Sequence, residues 1–496
     1  MKDTYLLGID VGTSGCKALV FDSNGKQIAN EYREYSLIFP NIGWMELPPD
    51  IVTEAIFDCI RQCANKFEAS KITALAVSSQ GEAIIPIDMN GTALSNSIVT
   101  FDNRNQEEYK WFSEQFDKEQ IMKITGAPIH TMFSILKILW IKNNLPEIYD
   151  KTWKFMCWGD YISYKLGAKP AIDWSMASRT MAFDISKKEW SGMILDKCGI
   201  PLDKMPEAVP SGEIIGEVNS QVSEVTGLIK GTKIVSGGHD QVCCALGAGV
   251  LESGVAMDSL GTTESILCVN KELHVTESMI KNNLPCYCYP VNDLYAYLGF
   301  LSSSGAILKW YRDEIIGNTY ENSYANMDKI ITEKYPGYSG LMVLPHFAGS
   351  GTPYLDFNSK GVITGLTLGT SKYQIYKAIL ESVNMEARLN IECMEESGIE
   401  IRELYCVGGG AKSSSWLQLK ADITGKKVVS NNIGEFGCLG ACILAGIGVG
   451  VYKDSAEALA GFSTEKKIYL PDEKVRAEYD EVYARYKKLY KAVSVL

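Results

Sequence analysis

Apolar runs broken by small polar turns open the chain. Residues 5–10 (Tyr-Leu-Leu-Gly-Ile-Asp) predict a strand, residues 11–15 a Gly/Thr/Ser turn, and residues 16–22 a second strand. Asn24-Gly25 is a strong hairpin signal ahead of a third strand near residues 27–35. Pro48-Pro49-Asp50 starts a helix expected from residue 49 to about 67, and residues 72–78 form another strand. Antiparallel strands followed by alternating helix and strand predict a mixed α/β domain. The second half repeats this logic: runs 254–259 and 264–269 flank the turn Leu260-Gly261-Thr262-Thr263. A strand over 403–407 then ends in Gly408-Gly409-Gly410 before a helix from about 413 to 424. The boundary falls near 245–252, giving halves 1–246 and 247–496 that face each other across a cleft, a common place for ligands.

Composition narrows the class. A chain of 496 residues with 46% hydrophobic and 22% charged content has material for two packed cores. Its 48 basic and 60 acidic residues give a net charge of −12, which argues against a nucleic-acid partner. Fourteen scattered cysteines and four histidines contain no paired C-x-x-C set, so buried thiols in a reducing compartment are expected, not metal sites. The first residues carry no secretory signal, and no apolar stretch of about 20 residues could span a bilayer; a cytoplasmic protein without a membrane partner is expected.

The turns carry the first chemistry. In residues 8–17, Asp10 closes a strand where a carboxylate can approach a metal ion. The glycines permit a tight turn with inward N–H groups, and Thr13, Ser14 and Lys17 can meet phosphate oxygens. A plain capped hairpin explains the same residues. Two later segments favour phosphate binding: Ser259-Leu-Gly-Thr-Thr-Glu264 repeats the Gly-Thr turn, and residues 408–415 put a triple glycine between strand and helix.

In this order the three elements resemble the FGGY family of carbohydrate kinases. Residues 132–144 look like that family's first signature, and residues 361–366 through 378–381 like its second. Trp44-Met45-Glu46 and Phe101-Asp102-Asn103-Arg104 match other habitual segments. The resemblance implies an α/β fold of two actin-like (ribonuclease H-like) ATPase domains facing a central cleft, using ATP and Mg2+ to phosphorylate a small sugar or polyol. A homodimer is left open. Asp10 would lie near magnesium, Thr13, Gly261 and Thr262 on the phosphates, and Gly409, Gly410, Ala411 and Ser414 along the adenosine.

Asp240, in Ser236-Gly-Gly-His-Asp-Gln241, is the expected catalytic residue. A carboxylate within about 3 Å of a hydroxyl can take its proton as the O–P bond forms. Local sequence equally suits an N-cap; the resemblance assigns a general base. His239 is expected to be structural, and Gln241 to touch the acceptor, as in glycerol kinases. Gln80-Gly81-Glu82 corresponds to the acceptor-selecting loop: Glu82 would accept hydroxyls, and Gly81 would leave space for an acceptor larger than glycerol. Asp102 either binds a hydroxyl or pairs with Arg104, and Trp44 either walls the pocket or joins the core. His346 is expected to shape a loop, and the small residues 437–446 to allow close helix packing. A five- or six-carbon ketose or polyol is the acceptor these residues suggest. A gluconate-type kinase, which would want a cationic partner for its acid, ranks lower because Gly81 offers no such charge. A glycerol-type kinase and an actin- or chaperone-type ATPase are the other readings.

Overall fold

The computed structural model describes residues 4–66, 68–291, 293–431, 433–462 and 465–494. The first sheet grows from the opening meander. Strands β1 (Tyr5–Val11), β2 (Gly15–Asp22) and β3 (Gln27–Glu34) pair antiparallel, β1 with β2 through the turn closed by Gly12 N–H on Gly15 O and β2 with β3 through Asn24-Gly25. Helix α1 (Pro49–Ala64) leads to β4 (Ile72–Ser79), which lies parallel to β1. Phe67, expected at the end of that helix, lies outside the described residues. Strands β5 (Ile214–Glu217) and β6 (Lys233–His239) complete the sheet in the order β5-β6-β4-β1-β2-β3, with β6 parallel to β4. Helix α2 (Asp240–Ala248) then leaves the sheet.

The second sheet follows the same plan. Strands β7 (Gly254–Leu260) and β8 (Glu264–Asn270) form the hairpin, and β9 (Cys286–Cys288) and β10 (Tyr295–Leu301) extend it on the β8 side. Strand β11 (Ile401–Val407) lies parallel to β7, and β12 (Lys427–Asn431) parallel to β11. Strand β13 (Lys466–Tyr469) closes the order β9-β10-β8-β7-β11-β12-β13. Each half is therefore an antiparallel ribbon, of three strands in the first sheet and four in the second, continued by parallel strands, the internal repeat expected from the two Gly-Thr turns.

The central strands are buried on both faces, which their unbroken apolar runs require. Helix α3 (Phe436–Gly448) comes from the end of the chain yet covers the first sheet. Its approach depends on missing side chains. A Cβ at Gly8 would lie 2.1 Å from the Cys438 carbonyl oxygen, and one at Gly440 would lie 1.9 Å from that of Cys243. Close helix packing thus accounts for the small residues 437–446. Thirteen cysteines are buried and Cys244 is partly open; all are free thiols. Among the described residues no helix is long and apolar enough to cross a membrane, and no cluster of three metal-ligating side chains occurs.

Candidate active site

Parallel strands that end together bring distant residues together, and ligands of open α/β sheets gather at such ends. Register pairs Asp10 with Ser78 and His239 with Ser79, so β1, β4 and β6 deliver Asp10, the loop 80–82 and Asp240 to one edge. In the second sheet Ser259 pairs with Val407, which sets the turn after β7 beside the triple glycine. A Cβ at Gly410 would lie 2.7 Å from Leu260 Cβ, so the two turns are in contact.

Asp240 is the first residue of α2, and the cap position belongs to His239, with no side-chain capping bond. The cap explanation for this aspartate therefore fails. About a third of its side chain (34%) is open, and its Oδ1 lies 3.2 Å from His239 Nε2 without making a hydrogen bond. Because Oδ1 is buried, what is open of the carboxylate is its other oxygen. Burial first, then the Asp10 and Glu82 carboxylates, push its pKa up to about 8, while Arg179 opposes them. His239 itself is buried, and burial followed by the Arg179 charge hold it well below the usual imidazole value, so it is neutral. Its backbone N–H donates to Ser175 Oγ (3.0 Å), whereas its ring Nδ1 has no partner. Gln241 Oε1 is likewise unpartnered.

The first Gly-Thr turn is braced from two sides. Ser78 Oγ donates to Asp10 Oδ1 (2.8 Å), and Lys17 Nζ pairs with Glu435 (2.6 Å) just before α3. Burial raises the Asp10 pKa against the lowering by Ser78 and Lys17. Gln80 was expected at the acceptor, but its amide serves the turn: Oε1 accepts from Thr13 Oγ1 (3.0 Å) and Nε2 donates to Gly12 O (3.2 Å). The cause is register, which carries the chain after β4 alongside the chain after β1. Ser14 is exposed at the tip of the turn.

In the second turn Gly261 N–H closes on Thr263 O (3.0 Å), and Thr262 is exposed. Beneath it lies a buried triad that the sequence did not announce. Lys420 Nζ meets Asp258 Oδ2 (2.6 Å) and Glu264 Oε1 (2.7 Å), and Ser304 Oγ donates to Glu264 Oε2 (2.8 Å). Burial and then Asp258 raise Glu264 to about 7 against the pull of Lys420. Lys420 belongs to helix α4 (Ser414–Thr424), so the triad ties the second Gly-Thr turn to the helix after the triple glycine. Gly409 and Ser414 are exposed, Gly410 and Ala411 half-buried, and Ser414 Oγ accepts from the Tyr469 hydroxyl (3.1 Å).

Three acceptor expectations need correction. Gly81 does not leave space: a Cβ there would lie 2.7 Å from His239 Cδ2 and 3.5 Å from Arg179 Cβ, so this glycine accommodates His239. Asp102 is buried and fully used, taking Met45 N–H (2.6 Å) and the Arg104 backbone and guanidinium, which closes it to substrate. A cation does lie at the loop 80–82, though not from Gly81: Arg179 pairs with Glu82 Oε1 (Nε at 2.6 Å), and both are buried. Trp44 packs edge-on against Trp140, with the Arg104 guanidinium 3.9 Å from its ring centre. His346 takes the structural part expected of it, bonded to Ser359 Oγ (2.7 Å) and 3.4 Å from Glu386.

The signature segments now have physical readings. Glu82 adopts a left-handed backbone conformation (φ 61°), uncommon outside glycine. Its carbonyl is held by Ser134 Oγ (3.0 Å) and the buried Lys137 Nζ (2.9 Å), both from the first signature. Burial lowers Lys137 to about 8. Glu381, in the second signature, takes Ser339 N–H (3.0 Å) and the Tyr479 hydroxyl (2.8 Å), which is architecture, not chemistry.

Comparison with known proteins matches this arrangement. Residues 5–247 fit the model of the N-terminal domain, and residues 256–449 that of the C-terminal domain, of the FGGY family of carbohydrate kinases. The chain is 28% identical to the xylulose kinase of Bacillus subtilis (strain 168), over 98% of its own length and 96% of that protein. It is 31% identical to glycerol kinase 1 of Saccharolobus solfataricus, over 97% and 95% of the two chains. The crystal structure of gluconate kinase from Lactobacillus acidophilus superposes with a TM-score of 0.91 at 25% identity, over 99% of this chain and 98% of that one. Two repeated α/β halves of actin-like type, Gly-Thr turns at matching strand ends and an aspartate that caps no helix therefore have one explanation: the chain belongs to the FGGY family of carbohydrate kinases.

Proposed function

We propose that this kinase transfers the γ-phosphoryl group of ATP to a hydroxyl of a neutral five- or six-carbon ketose or polyol, with Asp240 as general base. The observation that carries this is the carboxylate of Asp240, uncapped and with one oxygen open at the strand edge that also bears Asp10. That oxygen accepts the proton of the attacking hydroxyl as the O–P bond forms, and a pKa near neutrality suits the task. His239, neutral and against Oδ1, restricts how the carboxylate turns. Thr13, Ser14 and Thr262 on the two turns contact the phosphates, while Gly409, Gly410 and Ala411 lie along the adenosine.

Magnesium fits the residues present. Asp10 spends only one oxygen on Ser78, and the described residues offer no three-ligand cage, which suits an ion that keeps waters and phosphate oxygens. Asp10 would hold it, and the ion when bound would neutralise charge on the phosphates.

Acceptor character follows from the unpartnered atoms. Gln241 Oε1 is an acceptor without a donor, which a hydroxyl-rich ligand provides. The Arg179 cation is already neutralised by Glu82, which disfavours an acidic acceptor. Family membership removes the non-sugar ATPase. A glycerol-type acceptor is the second reading, favoured by the Glu82–Gln241 pair that this chain shares with those enzymes. The test is coupled ATP turnover on ketoses, polyols and sugar acids, with Asp240→Asn alongside. Turnover that depends on a neutral acceptor and disappears in the variant is expected; turnover that survives the substitution refutes the role of Asp240.

A further inference from the structure

We propose that Tyr287 is a specificity-determining residue for the acceptor: its hydroxyl, supplied by the second half of the chain, binds an acceptor hydroxyl remote from the one phosphorylated. The inference rests on the pocket around Asp240 being the acceptor site.

Tyr287 is the middle residue of β9, fixed opposite Ala296 in the second sheet. Its neighbour Cys288 donates its N–H to Ser178 Oγ (3.3 Å), one residue before Arg179, so strand and pocket are held together. The ring stands edge-on to His239 with centroids 5.6 Å apart. The Arg179 guanidinium lies 5.1 Å from that ring and 5.3 Å from Phe133, between an aromatic of each half, while paired with Glu82. Every part of Tyr287 is thus engaged except its hydroxyl, which is buried without a hydrogen-bond partner. Buried hydroxyls are nearly always paired, and an unpaired one is a cost that a ligand can relieve. Burial first, with Asp240 and Glu82 adding and Arg179 opposing, pushes the phenol pKa up, so the group stays protonated and can donate.

The chemistry that completes this site is a second hydroxyl on a chain whose first hydroxyl meets Asp240. A five-carbon acceptor offers several hydroxyls beyond the reacting one, and glycerol fewer. Removing a single hydrogen bond of this kind costs about tenfold or somewhat less, and a contact equal in ground and transition states appears in KM.

The experiment uses the full chain, wild type and Tyr287→Phe, in coupled ATP turnover with D-xylulose, D-ribulose, xylitol, glycerol and gluconate. Loss of about tenfold in kcat/KM on the five-carbon acceptors, mainly through KM, with less than twofold change on glycerol, is the expected result. Phenylalanine keeps the ring and removes only the unpartnered oxygen, so Tm should hold or rise. Equal losses on all acceptors, or none on any, overturn the role of Tyr287 while leaving the acceptor reading intact. A wild type active on gluconate alone, or on glycerol alone, overturns the acceptor reading and this inference with it.

Discussion

Arg179→Met tests the acceptor pocket where its electrostatics are most exposed to failure. The side chains of Arg179 and Glu82 are 6% and 4% exposed, and Glu82 otherwise has Thr100 Oγ1 at 3.2 Å. Removing the guanidinium leaves a buried carboxylate with one hydroxyl for support. Breaking a buried pair in this way costs about 3–5 kcal/mol, mostly the penalty of the stranded charge. At about 2–4 °C per kcal/mol for a unit of roughly 200 residues, Tm should fall by about 6–20 °C. Glu82→Gln in the same chain removes the stranded charge, so the double variant should recover at least half of the loss. The assay is thermal unfolding of the four proteins of the cycle at fixed pH and salt, read as an interaction energy of at least about 2 kcal/mol. Additivity within about 0.5 kcal/mol would refute the argument, because the two charges would then not depend on each other.

Other outcomes follow from the same geometry. Asp240 must be ionised to accept a proton, so kcat/KM should fall as pH drops through about 8, measured on free enzyme with acceptor below KM. Because the folded pKa exceeds the unfolded one, ionisation destabilises the fold as pH rises toward 8; Asp240→Asn should therefore raise Tm, and more at pH 8 than at pH 5, while abolishing turnover. Gly81→Ala places a Cβ 2.7 Å from His239 Cδ2, so the imidazole beside the base must move and kcat should drop by about tenfold or more in steady-state kinetics. Lys420→Met strands Asp258 and Glu264 and should cost about 3–5 kcal/mol in thermal unfolding, with much of it regained in Asp258→Asn/Glu264→Gln/Lys420→Met.

Local signals read well from sequence because their causes are local. The Asn24-Gly25 hairpin, the Gly-Thr turns and the triple glycine are backbone requirements written at the positions that need them. Asp240 was legible as a candidate but not separable from an N-cap, since both uses want a short acid at a strand-to-helix junction. Only the backbone geometry of His239 decided it. Long-range partners left no such mark. Arg179 reaches Glu82 from a segment nearly a hundred positions away, and Tyr287 comes from the other half of the chain. Gly81 shows the limit most plainly: a glycine announces that a side chain is absent, whereas what occupies that volume, here His239, is fixed by the fold. Asp102-x-Arg104 held both answers, and burial beside Met45 N–H selected the structural one.

Helix α3 also bears on how the protein is made. The face of β1 that it covers is synthesised long before the helix, whose Cys442 reaches the Leu6 carbonyl across 436 positions. Until α3 has emerged, a growing chain that already holds all six strands of the first sheet leaves Gly8 and its apolar neighbours bare to water. Long-range closure of this kind is slow and exposes sticky surface meanwhile. A gene cut between the halves should therefore yield an insoluble first piece, and one that becomes soluble when residues 433–462 are supplied as a second chain.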